Sequence, residues 1–363
     1  MFRRYVTQRL GATEFAPDER KFEDQAFATS LASFEMLAGG TKAMVTPRGD
    51  AFDFRCGYVD TNELNAFADI HNGTHIIGMH HALLVTIVEF ALFVFTQADQ
   101  FPEIGDANGE DSPYPNFGAA PGIFLLDKTL RGEPVVADTD RHRVPKCADR
   151  HVAAIYLAMH MVRFVWFHEL AHCVNGHVLF LKSLDIDVAL NEVPDPSMLV
   201  GLKKAGIAET DMRRILHALE LAADRDAMRA ACNVQLAGGE NIEGIAALSP
   251  ATRLTMCLFG AYLMTWLFDE YQRFAHSVHD LTHPFPKDRL ANLVRFTRAE
   301  FADVSDELAG LHDGVCARFN RLAAKIPNMH RIDVERIDEP ISNALEDWDI
   351  VPSALRFEAA TTA

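Results

Sequence analysis

A long apolar stretch that carries three polar side chains at fixed spacing constrains the fold more than any other feature. Between Val152 and Leu181, aromatic and aliphatic residues recur every three or four positions, which predicts one long buried helix. His168, Glu169 and His172 lie inside it. Residues four apart lie on one face of a helix, about 6 Å apart along its axis. The two histidine rings are therefore predicted to face one point.

This H-E-x-x-H spacing suits a zinc ion. Each of the two histidines can offer a ring nitrogen to the ion, and Glu169 is placed to accept a proton from a water molecule. Burying two imidazoles and a carboxylate in an apolar helix is unfavourable without a compensating partner, which an ion would supply. We therefore predict one Zn²⁺ per chain, with His168 and His172 as ligands and Glu169 as general base.

A catalytic zinc ion needs a third protein ligand. Glu220 and Asp224 are four residues apart on a second predicted helix, Thr210–Cys232, so both carboxylates face one direction. We predict Glu220 as the third ligand and Asp224 as the acceptor for the outer N–H of a ligating histidine; an exposed acidic helix face is the alternative. His177 follows His172 by about 500° of continuous helix, so it is expected beside the site or on the surface.

Composition excludes some classes of partner. A formal net charge of −17 argues against nucleic-acid binding, which depends on clustered Lys and Arg. Six cysteines without a C-x-x-C pair suit a reducing compartment, and no secretory signal is evident at the N-terminus. The apolar runs Ala82–Phe95 and Met256–Phe268 fall short of the ~20 residues that span a bilayer. We expect a cytoplasmic protein, with membrane association disfavoured.

Local patterns predict an α+β fold that is mostly α. Asn72-Gly73 is a turn signal before the strand candidate Thr74–Met79, whereas nearly everything after Ala148 has helical character. A proline-rich stretch, 98–148, is expected to be a loop-rich insertion and a candidate lid. The predicted organisation is an N-terminal covering segment at 1–55, a main domain at 56–330 and an acidic C-terminal tail at 331–363.

Four short motifs together resemble a known group of enzymes. The pairing of His168-Glu169-Leu170-Ala171-His172 with Glu220-x-x-Ala223-Asp224 resembles the gluzincin peptidases, in particular the CAAX prenyl endopeptidases and the HtpX heat-shock metallopeptidases. The segment Asn65-Ala66-Phe67-Ala68 with the strand after it, and Thr282-His283-Pro284 followed by Arg289, are similar to two further motifs of that branch. The phage-exclusion Lit peptidases are similar in general layout.

The resemblance implies a zincin-like helical core with a small sheet whose edge strand lines the active-site cleft. On this basis a protein or peptide substrate would add to that edge strand. The residues implied to bind it are His75, Ile76, Ile77, Gly78 and Met79. The resemblance also implies that His283 or Arg289 lies near the zinc ion and stabilises the oxyanion. We expect His283 in that catalytic role, with a structural position at the start of a helix as the alternative, and Arg289 in a pair with a carboxylate near the zinc site.

Several features depart from that family, and other functions stay open. Many of its members carry transmembrane helices, and neither the 98–148 insertion nor the acidic end has a counterpart there. One alternative is a catalytically inactive or regulatory zinc-binding helical protein; others are a metal-dependent hydrolase of non-peptide amides and a metal-free interaction protein. A structural zinc site is usually closed by four ligands and has no use for a carboxylate at Glu169. A zinc-dependent endopeptidase is therefore the prediction.

Overall fold

Helices dominate the chain, and a small mixed sheet packs against them. The predicted fold class, α+β and mostly α, is confirmed. The computed structural model describes residues 1–18, 22–110, 143–187, 189–191, 196–237, 248–274, 284, 286–326, 329–333 and 351–359. The helices are α1 Phe2–Tyr5, α2 Phe22–Ala38, α3 His81–Phe95, α4 Ala148–Val174, α5 His177–Ser183, α6 Pro196–Lys204, α7 Glu209–Leu236, α8 Pro250–Phe274, α9 Pro286–Ala302 and α10 Asp306–Ala323. The strands are β1 Thr13–Phe15, β2 Met44–Val45, β3 Phe54–Asp60, β4 Ala66–His71, β5 Thr74–His80, β6 Leu190–Asn191 and β7 Glu358–Ala359.

The main sheet has the order β1-β3-β5-β4-β6, so β5 is its middle strand. Strand β5 runs parallel to β3 and antiparallel to β4. Asn72 and Gly73 both have positive φ, at 51° and 77°, which gives the tight turn that joins β4 to β5. The Asn-Gly signal therefore predicted the hairpin correctly.

The expectation that the strand His75–Met79 forms the edge of the sheet is wrong. Both of its sides are occupied, because β3 pairs along one side and β4 along the other. Its side chains explain the interior position: Ile76 packs into a small apolar cluster on one face, and Ile77 and Met79 pack into the main core on the other. A strand that is apolar on both faces is typical of the inside of a covered sheet.

The core is built around α4, which packs against α3, α7, α8 and the sheet. The predicted continuous helix from Val152 to Leu181 is wrong at its C-terminal end. The helix stops at Val174, and α5 begins at His177 after a turn in which Gly176 has φ of +74°. Glycine favours this left-handed conformation because it has no Cβ.

Other helix predictions differ from the structure only at their ends. The apolar runs at 82–95 and 256–268 lie within α3 and α8, and both helices are deeply buried. Further along the chain, α9 ends at Ala302, and α10 starts after Ser305, whose hydroxyl accepts the N–H of Leu308. Among the residues that the structure describes, no helix is long and apolar enough to cross a bilayer.

Both ends of the chain contact the main body. The boundary proposed at residue 55 falls inside β3, and Phe34 of α2 stacks on Trp166 of α4 with ring centroids 5.0 Å apart. At the other end β7 pairs with β2. Residues 111–142 of the proposed insertion, and with them most of the candidate lid, lie outside the described residues, as do residues 334–350 of the acidic tail.

Candidate metal centre

Three long helices bring the candidate metal-site residues together. His168 and His172 lie on α4, Glu220 and Asp224 lie on α7, and Arg289 lies on α9. Helix α4 packs along α7, and α9 packs against α7. Each i, i+4 pair therefore points from one helix toward the other, as the helical period requires.

The first three of these side chains form a buried cluster. His168 and His172 approach each other through their Nε2 atoms, 2.9 Å apart. The Glu220 carboxylate faces both rings, with Oε2 3.4 Å from Nε2 of His168 and Oε1 3.5 Å from Nε2 of His172. All three side chains are at most 3% exposed. The cluster could hold a metal ion, because its ligand atoms lie within 4.8 Å of one another.

The spacing of these atoms fits a small ion. Tetrahedral ligands at the usual zinc bond lengths of ~2.0–2.1 Å lie about 3.3 Å from one another. The observed separations of 2.9, 3.4 and 3.5 Å bracket that value. Two imidazoles and a carboxylate also form a common ligand set for zinc. Since neutral imidazoles carry no charge, a cation between them would compensate the buried Glu220 carboxylate.

Asp224 contacts the outer edge of the His168 ring. Its Oδ1 lies 3.0 Å from Nδ1 of His168, on the opposite side of the ring from Nε2. Arg289 donates two hydrogen bonds to the same carboxylate, from Nε at 2.8 Å and from Nη2 at 2.7 Å. Burial acts to raise the pKa of Asp224, but the charge and hydrogen bonds of Arg289, with the contact to His168, outweigh it and lower that pKa. Asp224 is therefore held ionised and fixes the orientation of His168.

His177 lies beside the site, which is one of the two positions expected for it, although the helix is not continuous between His172 and His177. Its Nδ1 lies 2.8 Å from Nδ1 of His172, and its side chain is buried. Burial lowers the pKa of His177 to about 3, although the nearby Glu220 acts to raise it. The turn at Asn175-Gly176 makes this contact possible, because the chain changes direction before His177. That dipeptide is a sequence signal for a helix end, and it could have predicted the break.

Glu169 follows His168 on α4 and is 1% exposed. It belongs to the most buried part of the helix, where an ionisable group requires a specific reason to be present. Together with Glu220 and Asp224 it gives this region three buried carboxylates.

The predicted substrate-binding strand and the predicted oxyanion residue are not part of the described site. The five residues His75–Met79 lie in the middle strand of the sheet, so their backbone groups are already paired and cannot add a substrate strand. The ring of His75 itself packs against the rings of Phe52 and Phe357. His283 lies outside the described residues.

The cluster stands alone among the residues described. In that part of the chain, no other group of three histidine, cysteine, aspartate or glutamate side chains brings its ligand atoms as close together. The six cysteines are free thiols, and four of them are buried in the core.

Comparison of the chain with protein-family models, with curated proteins and with solved structures gives no match. The resemblance to gluzincin peptidases therefore stays a prediction. The case for a function depends on the geometry of the buried side chains.

Proposed function

We propose that this protein is a zinc-dependent endopeptidase. The observation that carries the proposal is the buried cluster of His168, His172 and Glu220, with Glu169 beside the first histidine on the same helix. Three ligands of this kind leave a fourth position for water, which is the arrangement of catalytic rather than structural zinc sites. The candidate ligand set contains no cysteine, which also favours a catalytic over a structural zinc site.

Each residue has a distinct part in the proposed reaction. His168, His172 and Glu220 would hold the ion, which when bound supplies Lewis acidity to water and to a substrate carbonyl. Glu169 accepts the proton of the attacking water and passes it to the leaving amine. Asp224 keeps Nδ1 of His168 protonated, so that Nε2 is the nitrogen available to the ion. The resemblance alone suggests His283 as a stabiliser of the oxyanion.

The burial of the cluster favours a second candidate. All three ligand side chains are nearly inaccessible, which also suits a regulatory zinc-binding protein that does not turn over substrate. The two candidates share the metal site and differ in the use of Glu169. A hydrolase of non-peptide amides would use the same residues, and it would differ from the endopeptidase only in the substrate that it cleaves.

Metal content and peptide hydrolysis test the proposal together. Untagged protein is expected to contain about one zinc per chain by mass spectrometry. The variant Glu220→Ala is expected to lose most of it, because only two ligands are left. Glu169→Gln keeps the shape of the side chain but cannot accept a proton, so we expect full zinc content and hydrolysis of a peptide library slower by about 10²–10⁴-fold.

The outcomes separate the candidates. No zinc in the natural protein, even after zinc is added back, would exclude every function proposed here. Zinc at full occupancy without hydrolysis of any library peptide would favour the regulatory protein. Equal hydrolysis by Glu169→Gln and the natural protein would remove Glu169 from the mechanism.

A further inference from the structure

The turn between α4 and α5 places His177 on the far side of the His172 ring from the metal cluster. Asn175 caps the C-terminal end of α4, and Gly176 takes a left-handed conformation before α5 begins. As a result Nδ1 of His177 lies 2.8 Å from Nδ1 of His172, while Nε2 of His172 faces His168 and Glu220. Both edges of the His172 ring are therefore engaged.

The two candidate ligand histidines are supported in parallel ways. Asp224 contacts Nδ1 of His168, and His177 contacts Nδ1 of His172. Two ring nitrogens 2.8 Å apart share one proton. For Nε2 of His172 to be free for an ion, that proton belongs on its Nδ1, which then donates to Nδ1 of His177.

The C-terminal segment, residues 351–359, packs against the same turn. The N–H of Phe357 donates to the carbonyl of Val174, the last residue of α4, at 2.9 Å. The backbone of Leu355 lies so close to Gly176 that a Cβ on that glycine would be 2.3 Å from the carbonyl oxygen of Leu355. The segment is anchored further along, where Phe357 packs its ring against Phe52 and β7 pairs with β2.

We infer that His177 is a positioning residue that fixes the tautomer and orientation of His172, and that the C-terminal segment holds the turn that carries it. This inference rests on the proposed metal site. It gives residues 351–359, about 180 residues after α4 in sequence, an indirect part in metal binding through that turn. Loss of an outer partner of a ligating histidine typically weakens metal binding by about 10–100-fold.

The zinc affinity of the chain of 363 residues tests the part played by His177. The measurement is the Kd for Zn²⁺ by competition with a chromophoric chelator, for the natural protein, His177→Leu and His177→Asn. We expect about 10–100-fold weaker binding for His177→Leu, which cannot accept the proton of His172. In His177→Asn the side-chain oxygen can take the place of Nδ1, so we expect recovery to within a few-fold of the natural value.

A spectroscopic readout separates positioning from packing. Substitution of Co²⁺ for zinc reports the ligand field directly, and its visible absorption bands are expected to change in His177→Leu and to be restored in His177→Asn. Equal zinc affinity and equal spectra in all three proteins would overturn the inference while the metal site stands. A folded Asn variant as impaired as the Leu variant would also overturn it. A natural protein that binds neither metal would overturn the proposed function as well.

A pair of phenylalanine variants tests the part played by the C-terminal segment. Phe357→Ala removes the ring that anchors the segment, and Phe2→Ala removes an equally buried ring from the small cluster on the other face of the sheet. We expect zinc binding about 10-fold weaker in Phe357→Ala and unchanged in Phe2→Ala. Natural affinity in folded Phe357→Ala would show that the segment does not hold the turn. An equal loss of zinc affinity in both variants would show that it follows from lower stability in general, which would overturn the part assigned to the segment.

Discussion

At the scale of single residues, the candidate metal site depends on one charged pair, Asp224 with Arg289, on the outer side of His168. Asp224 is fully buried, and its carboxylate is paired with Arg289 and touches His168. Removing one member of a buried ion pair leaves an uncompensated charge, which destabilises a protein far more than removing both members. Each member of the pair is therefore needed while the other is present, and Asp224 also fixes the orientation of a candidate ligand.

Arg289→Met is expected to lower the free energy of unfolding by about 3–5 kcal/mol, because the Asp224 carboxylate is left buried without its cation. The double variant Arg289→Met, Asp224→Leu is expected to be more stable than Arg289→Met alone. Urea unfolding of the four proteins in the cycle, in metal-free buffer, gives the coupling energy between the two side chains. Losses that simply add would contradict the buried pair.

Some residues of the candidate site could be predicted from the sequence, and others could not. His168, His172, Glu220 and Asp224 were predictable because helical spacing alone puts each pair on one face. The contact of His177 was not predictable from spacing, because it depends on the break at Gly176. Only a reader who gave the Asn175-Gly176 signal more weight than the apolar periodicity would have expected it.

At the scale of elements, helix ends are held by side chains from distant parts of the sequence. Arg150, in the first turn of α4, is completely buried. Its guanidinium donates hydrogen bonds to backbone carbonyls at the end of α3 and in the turn that follows, namely those of Phe95, Gln97, Gln100, Phe101 and Ile104. The carboxylate of Glu110 likewise accepts the N–H groups of Lys146 and Cys147, just before α4. These contacts satisfy the carbonyl of Phe95 in the last turn of α3, and they tie the loops after α3 and before α4 to the core.

Arg150→Met is expected to lower the free energy of unfolding by about 3–5 kcal/mol, because five buried carbonyls lose a donor and methionine replaces only the length of the side chain. Arg150→Lys supplies fewer donors from a single point and should be intermediate. Urea unfolding measures both losses, and hydrogen exchange over residues 96–104 shows where they act. A methionine variant as stable as the natural protein would show that water satisfies these carbonyls.

At the scale of the whole molecule, buried histidines make stability depend on pH. Burial lowers the pKa of both His75 and His80 to about 4. An unfolded chain binds a proton on each histidine near pH 6.5, whereas the folded chain does so only near pH 4. The stability from keeping these rings neutral is therefore complete above about pH 6.5 and is lost as the pH falls toward 4.

Each histidine is expected to contribute a loss of about 1.4 kcal/mol per pH unit within that window. His75→Phe should lower the slope by that amount, because phenylalanine keeps the ring packing on Phe52 and Phe357 but cannot bind a proton. The measurement is urea unfolding at pH 6 and pH 5 in metal-free buffer. As a control, Phe52→Leu should lower stability equally at both pH values. An unchanged slope in His75→Phe would contradict the burial argument.

The sequence by itself determined the features that follow from local periodicity. These are the mostly helical class, the hairpin at Asn72-Gly73, and the two residue pairs that meet at the candidate metal site. Such local features can be predicted because the helical and strand periods repeat within a few residues, independently of the rest of the chain.

The tertiary structure alone decided which segments become neighbours. It placed β5 in the middle of the sheet by bringing β3 back beside it, and it returned residues 351–359 to the turn before His177. Such contacts join residues far apart in sequence, and the net free energy of each is small, so the whole set of competing contacts decides between arrangements. No single pattern in the sequence carries that information.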